Sequence, residues 1–269
     1  MGGLLEFVVM QYDTIEVSRK QDVVTVVLNR PEVHNAMNEQ LMTELTRCFQ
    51  ELSRDTTVRT IILTGNGKSF CAGADLNWMK SMVKFSKEEN IRDSRLLLDL
   101  FDSISSCPKP VIGRINGHAF GGGLGLIAVC DITVAHPDAT FAFSEVNLGI
   151  IPSVVSTFVA PRIGPAHMRR LFVTGERFTA VQAHEIGLID FVVPPEGLDA
   201  KVHYYVEQLQ SSGPTAIQEV KNLVNTYQTL DTKRYKEFTV EKIAELRVSK
   251  EGQEGTTAFL EKRKPRWNR

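Results

Sequence analysis

The four cysteines, Cys48, Cys71, Cys107 and Cys130, stand far apart with no C-x-x-C pair among them, and Cys130 falls in an apolar run. That spacing excludes a zinc ribbon, a redox dithiol or a disulfide framework; the thiols read as reduced, mostly buried groups of an intracellular protein. An excess of charge of either sign is also lacking. The formal net charge is −1, so bulk attraction to nucleic acid or to an acidic membrane surface is not expected. No apolar run approaches the ~20 residues needed to span a bilayer, and the N-terminus lacks the charged flank and long apolar core of a signal peptide. Met1-Gly2-Gly3 opens like a myristoylation signal, yet Glu6 stands where Ser or Thr is wanted. The first nine or so residues read as a loose leader. The chain reads as cytoplasmic, or as a resident of the mitochondrial matrix after loss of a transit peptide. His184 beside Glu185 has no matching second His at i+4, so no metal is expected.

The 269 residues suffice for one large domain, or one and a half, with a sizeable core. Tyr12 to Val17 and Val23 to Leu28 read as a hairpin around Lys20-Gln21-Asp22. Asn35 to Leu52 carries Met37, Leu41, Leu45 and Phe49 at helical spacing, with Asn35 as N-cap. Strands over Thr60 to Thr64 and Val111 to Ile115 alternate with helices from Leu76 and over Ser86 to Ile104, and a strand over Thr140 to Phe143 follows. That order is the grammar of an α/β core with right-handed crossovers. From Pro161 the pattern turns to helix upon helix: Pro165 to Val173, Thr179 to Ile186, Leu198 to Ser211, Pro214 to Leu230 and Lys233 to Leu246. Only a short strand, Asp190 to Val193, interrupts it. Such a layer covers its own core or swaps onto a neighbour's.

The stretch from Pro110 to Glu145 organises the rest. Gly121, Gly122 and Gly123 leave their amides unshielded at the opening of a short apolar helix, where free N–H groups and a positive dipole end favour an anionic oxygen. A second loop of small residues, Ser69 to Asp75, lies at another strand-to-helix junction. Two such loops could aim two amides at one oxygen, which is the minimum hardware of an oxyanion hole. Glu145 closes the stretch as its lone carboxylate.

In order and spacing, LNRPEVHNAMN, GKSFCAGADL, KPVIGRINGHAFGGGLGL, FSEVNLGIIPS, LFVTGERFTAVQAHEIGLID and EGTTAFLEKRKPRW resemble the enoyl-CoA hydratase/isomerase (crotonase) family, from Tyr12 to Trp267. The resemblance implies an α/β fold, a spiral of ββα repeats with a C-terminal helical layer. It divides the chain into a spiral core, 10–196, and a helical trimerisation region, 197–269. The implied substrate is a coenzyme A thioester, with no separate cofactor because coenzyme A belongs to the substrate. The implied assembly is a homotrimer or a dimer of trimers. It further implies an oxyanion hole from the amides of Ala74 and Gly122, Glu145 as acid/base, and contacts to substrate and coenzyme A from Ala72, Ala74, Asp75, Leu76, Asn77 and Gly122.

One departure matters. Hydratases of this family usually carry a first glutamate just after the glycine loop, where this chain has Gly125. GADLNWM, from Gly73 to Met79, resembles the branch that hydrates 3-methylglutaconyl-CoA and related branched, carboxylated enoyl-CoAs, whose own carboxylate could orient water in the room left at Gly125. A Δ3-Δ2 enoyl-CoA isomerase is the alternative, because moving a proton between two carbons needs one carboxylate and no activated water. A non-hydrating thioester-binding member is a third. More distantly, Gly123-Leu124-Gly125-Leu126-Ile127-Ala128 fits a relaxed dinucleotide fingerprint, with Glu145 as the ribose carboxylate of an NAD-dependent oxidoreductase. Trp78 and Met79 could wall an acyl pocket, Lys80, Lys262, Arg263 and Lys264 could meet phosphates, and His118 reads as a packing residue.

Overall fold

The structure, a computed structural model, describes residues 12–227 and 229–268; the expected leader lies outside them. Strands β1 (Ile15–Lys20) and β2 (Val23–Leu28) form the expected hairpin. Val24, Val26 and Leu28 alternate inward and are fully buried, as period-two patterning requires. Helix α1 (Glu39–Arg54) buries Leu41, Met42, Leu45, Cys48, Phe49 and Leu52. Its N-cap is Asn38, whose side chain accepts the Leu41 amide, not the expected Asn35. Asn35 is left-handed at φ 56, a conformation that turns the chain away from a helix start, so Met37 also precedes the helix.

β3 (Thr60–Gly65) and β4 (Ser69–Cys71) lead to α2 (Leu76–Met82) and α3 (Lys87–Ser105). The second small-residue loop therefore begins as a strand and is loop only from Ala72. β5 (Val111–Ile115), β6 (His118–Phe120), α4 (Gly122–Ala128), β7 (Ile132–Ala135) and β8 (Thr140–Ala142) follow. A 3-10 turn, Ser144–Leu148, then carries Glu145. α5 (Ser153–Thr174) is two arms joined at Gly164, φ 70, between Pro161 and Pro165. The sequence pattern caught the second arm, Pro165 onward, and missed the first because two prolines and a left-handed glycine break its period. β9 (Phe178–Thr179), α6 (Ala180–Glu185) and β10 (Phe191–Val192) complete the core.

The strands make a six-stranded sheet, β1-β2-β3-β5-β7-β10, and a four-stranded one, β4-β6-β8-β9. Pairs β2–β3, β3–β5, β5–β7 and β7–β10 are parallel. Each pass of the chain gives one strand to each sheet, β3 then β4, β5 then β6, β7 then β8, so that ββα units wind into a spiral. Phe49, Phe70, Phe101, Phe141, Phe143 and Phe178 are fully buried at its centre; each contributes about 2 kcal/mol of apolar burial. On the opposite face of the larger sheet, α7 (Leu198–Ser211) sets Leu198, Val202 and Val206 against Ile112 and Val134. α8 (Pro214–Tyr227), α9 (Thr232–Val248) and α10 (Lys250–Leu260) finish the chain. All four cysteines are free and buried, and among the described residues no helix is long and apolar enough to cross a membrane.

Candidate active site

The segment from Arg30 to Met37 is a template for the small-residue loop. Ala72 N–H donates to His34 O (3.0 Å), Met37 N–H to Gly73 O (2.6 Å), and Asp75 N–H to Met37 O (2.8 Å). The Asn35 side-chain amide donates to Ser69 O (2.9 Å) and to Asn66 O (2.9 Å), and its oxygen accepts Arg30 N–H (2.9 Å). In the parallel bridge between Met37 and Ala74, Met37 bonds to the peptide on either side of Ala74. The amide of Ala74 itself is thereby turned the other way, and it meets no acceptor among the described residues. Two consecutive left-handed residues, His34 at φ 55 and Asn35 at φ 56, hold this template at a cost of ~1–2 kcal/mol each.

The glycine loop meets this first loop directly. A Cβ on Gly73, itself at φ +85, would stand 2.8 Å from Phe120 O and 3.8 Å from Gly121 Cα. Gly121, at φ +49, donates its amide to Ala142 O (3.0 Å), and Gly122 then opens α4. As the first helical residue Gly122 has no intrahelical acceptor, and its N–H meets no acceptor among the described residues. Met37 joins the two amides: its backbone clasps Ala74, and its Cε fills the space where a Cβ on Gly122 would go.

Glu145 faces the same loop. A Cβ on Gly121 would sit 3.1 Å from its Oε1, while Oε2 is one of three buried side-chain polar atoms without a partner among the described residues. Burial pushes the carboxyl up from its ordinary value, and the opposing bond from its own backbone amide does not restore it. A carboxylate so desolvated is a stronger base and holds a proton more readily, which suits it to accept and return one. Exposed apolar residues Leu148, Ile150 and Ile151 follow it. Two free amides beside such a carboxyl can stabilise a thioester enolate while a proton moves at the adjacent carbon.

The side chain of Asp75 is engaged within the chain. It is buried, caps α2 by accepting the amides of Asn77 (2.8 Å) and Trp78 (3.3 Å), and pairs with Arg30 (2.9 Å). Burial alone would raise its carboxyl, but these bonds outweigh it and hold the group below the usual carboxylate range. Leu76 and Asn77 are exposed on the first turn of α2, Ala74 is exposed and Ala72 is half-buried. An open groove of about 730 Å³ runs from Asp75, Asn77 and Trp78 past Arg30 to the start of α1. A larger cavity of about 980 Å³, between α5 and α8, contains none of Ala74, Gly122 or Glu145.

Trp78 packs on the core and donates its indole N–H to Asp93 (3.0 Å), tying α2 to α3. Lys80, Lys262 and Lys264 are exposed, whereas Arg263 is committed to Glu254 and Glu261. His118 accepts the Thr140 amide at Nδ1 (3.1 Å), in keeping with a packing role. Among the described residues no cluster of three His, Cys, Asp or Glu could hold a metal ion.

Two expectations fail at α4. The room expected at Gly125 is occupied: a Cβ there would lie 2.6 and 2.9 Å from Cε2 and Cε1 of the buried Phe101 ring, and closer still to Cζ. The dinucleotide-like Gly123 to Ala128 lies inside the helix, and its glycines therefore form no phosphate-binding turn ahead of it. Sequence reasoning also missed Arg30, Met37 and Phe101. Their partners lie 24 to 85 residues away in the chain, and no local pattern signals such contacts.

The sequence pattern of a family described as enoyl-CoA hydratase/isomerase matches residues 18–269. A crotonyl-CoA hydratase of Syntrophomonas wolfei is 33% identical, over 95% of this chain and 98% of its own. A 1,2-epoxyphenylacetyl-CoA isomerase of Escherichia coli is also 33% identical, over 92% and 95%. Among solved structures, an enoyl-CoA hydratase from Shewanella pealeana superposes with a TM-score of 0.92 at 38% identity, covering 96% of this chain and 97% of that one. With the spiral, the paired loops and the facing carboxyl already in place, these likenesses assign the chain to the enoyl-CoA hydratase/isomerase family.

Proposed function

We propose that the protein is an enoyl-CoA hydratase that adds water across the 2,3 double bond of an enoyl-CoA thioester. Glu145 is its only side-chain acid/base, and the amides of Ala74 and Gly122 hold the thioester oxygen as it becomes an enolate. The observation that carries this reading is the desolvated Glu145 carboxyl, with Oε2 unpartnered and Oε1 against the glycine loop whose next amide is free. In this mechanism the water oxygen bonds to C3 and its proton passes to Glu145. The electron pair moves onto the thioester oxygen, and Glu145 returns a proton to C2. The carboxyl ends as it began, and the two amides act most strongly where the charge is greatest.

The substrate we favour is a branched, carboxylated enoyl-CoA of the 3-methylglutaconyl type, on the strength of Gly73 to Met79. We further infer a homotrimer, or a pair of trimers, through 197–269, a reading supported by exposed Val220, Val224, Tyr227, Val240 and Ile243 on α8 and α9. A second reading, Δ3-Δ2 enoyl-CoA isomerase, is favoured by the filled position at Gly125, because proton transfer between C2 and C4 needs no second carboxylate.

Product mass separates the readings. Purified protein is incubated with 3-methylglutaconyl-CoA, crotonyl-CoA and a 3-enoyl-CoA. Gain of one water, fastest on the branched acid and abolished in Glu145→Gln, supports the hydratase. Unchanged mass with migration of the 3-enoyl double bond supports the isomerase.

A further inference from the structure

We propose that Phe101 is a specificity-determining residue that restricts this site to one carboxylate; the inference rests on Glu145 acting as the acid/base. The helix α3 lays Leu97 and Phe101, one turn apart, over Gly122 and Gly125, one turn apart on α4. Leu97 Cδ1 lies 4.0 Å from the Cβ position of Gly122, and the Phe101 ring covers that of Gly125. Phe101 has no exposed surface. Its ring also meets Phe158 of α5 edge-on, centroids 5.3 Å apart at 71°, so it is held by a second aromatic. Any side chain at 125 must start inside that ring. In this core, a carboxylate at 125 and a phenyl ring at 101 exclude one another.

The chemical consequence is specific. With Phe101 present, a water molecule cannot be held between two carboxylates, and every proton that enters or leaves the substrate passes through Glu145. Such a site suits proton transfer, or a substrate that carries its own anchoring group, better than a plain short enoyl-CoA. Removing the ring while supplying the carboxylate must then build a second water-holding group, and with it activity on unadorned enoyl-CoAs.

A double-mutant cycle tests this with the full chain: Phe101→Ala, Gly125→Glu, and the two together, each measured for Tm and for kcat and KM with crotonyl-CoA. Both single variants are expected to lose Tm, and the pair to exceed the additive value by about 4 °C or more, because the clash at 125 is absent once the ring is removed. The hydration kcat of the pair is expected to rise roughly tenfold or more over Phe101→Ala, with KM little changed. A milder cycle, Phe101→Leu with Gly125→Ala, reads the same steric coupling in Tm if the larger changes fail to fold. The proposal is overturned if Gly125→Glu melts with the unsubstituted protein, if the Tm losses simply add, or if coupled Tm values come with no gain in hydration. Failure of the underlying reading looks different: Glu145→Gln in the otherwise unchanged chain would keep its turnover, while the Tm coupling between 101 and 125 persisted.

Discussion

Replacing Asp75 separates two jobs done by one carboxylate. Asp75→Ala removes the N-cap of α2, worth ~1 kcal/mol, and leaves the Arg30 guanidinium without its anion. The side chains of that pair are only 16% and 7% exposed, so solvent does little to screen the loss. Breaking a buried pair by removing one partner costs about 3 kcal/mol or somewhat more, for a total near ~4 kcal/mol. Asp75→Asn keeps an oxygen for the Asn77 and Trp78 amides and loses only the charge, which corresponds to about 2 kcal/mol for a charged hydrogen bond. Urea unfolding near neutral pH, with unchanged m-values, is the assay.

The pH dependence has a definite sign. Because the folded carboxyl is held below its unfolded value, its contribution is complete above about pH 4, the unfolded range, and is lost as pH falls through the folded value. The gap between the unsubstituted chain and Asp75→Asn must therefore narrow in acid. An Asn variant within ~0.5 kcal/mol of the parent, with KM for an enoyl-CoA raised instead, would refute the stabilising role of this carboxylate and point to a substrate contact by it.

Three further outcomes follow from the same geometry. Glu145→Gln is expected to lower kcat by roughly 10³-fold while leaving binding of a saturated acyl-CoA intact. It should also be more stable than the parent near neutral pH. The raised carboxyl gives stability that is complete below its unfolded value and lost as pH rises through the folded one, and Gln removes that loss; matched urea curves at neutral and acid pH check it. The same shift places the acid limb of the kcat/KM profile above the ~4.3 of a free Glu. Gly73→Ala, at φ +85 and with its Cβ 2.8 Å from Phe120 O, should lose ~2 kcal/mol of stability and roughly 10²-fold in kcat, as the displaced loop misaims the Ala74 amide. Finally, burial pushes the thiols of Cys48, Cys71 and Cys130 up to about 12. A disulfide reagent should thus label almost nothing in the native protein and four thiols after denaturation, and rapid native labelling would contradict the burial.

The sequence made the spiral legible because each of its units is local. Alternation in β2, the spacing of Leu41, Leu45 and Phe49, and the two small-residue loops all sit within a dozen residues. The misses are of another kind. Asn35 has the chemistry of a helix cap, and only its left-handed backbone and three contacts in 30–69 reveal a clamp. The carboxylate of Asp75 is paired with Arg30, 45 positions earlier, a contact that no local pattern signals. At Gly125 a missing side chain does not mean an empty space; whether a glycine leaves space depends on what packs there, and here that is the ring of Phe101.

These contacts also explain why substitution should act so unevenly across the site. The oxygen-binding groups we propose are backbone amides, so side-chain identity at Ala74 matters less than the bonds that turn its peptide. Those bonds come from Met37, whose side chain in turn abuts Gly122. One residue thus touches both donors through separate parts of itself, and a shift of Met37 moves them together. Donors that move together keep their mutual aim and change their relation to Glu145, which belongs to another turn of the chain. Perturbing Met37 should therefore weaken proton transfer more than it weakens thioester binding, a split that kcat and KM of Met37→Leu would read directly.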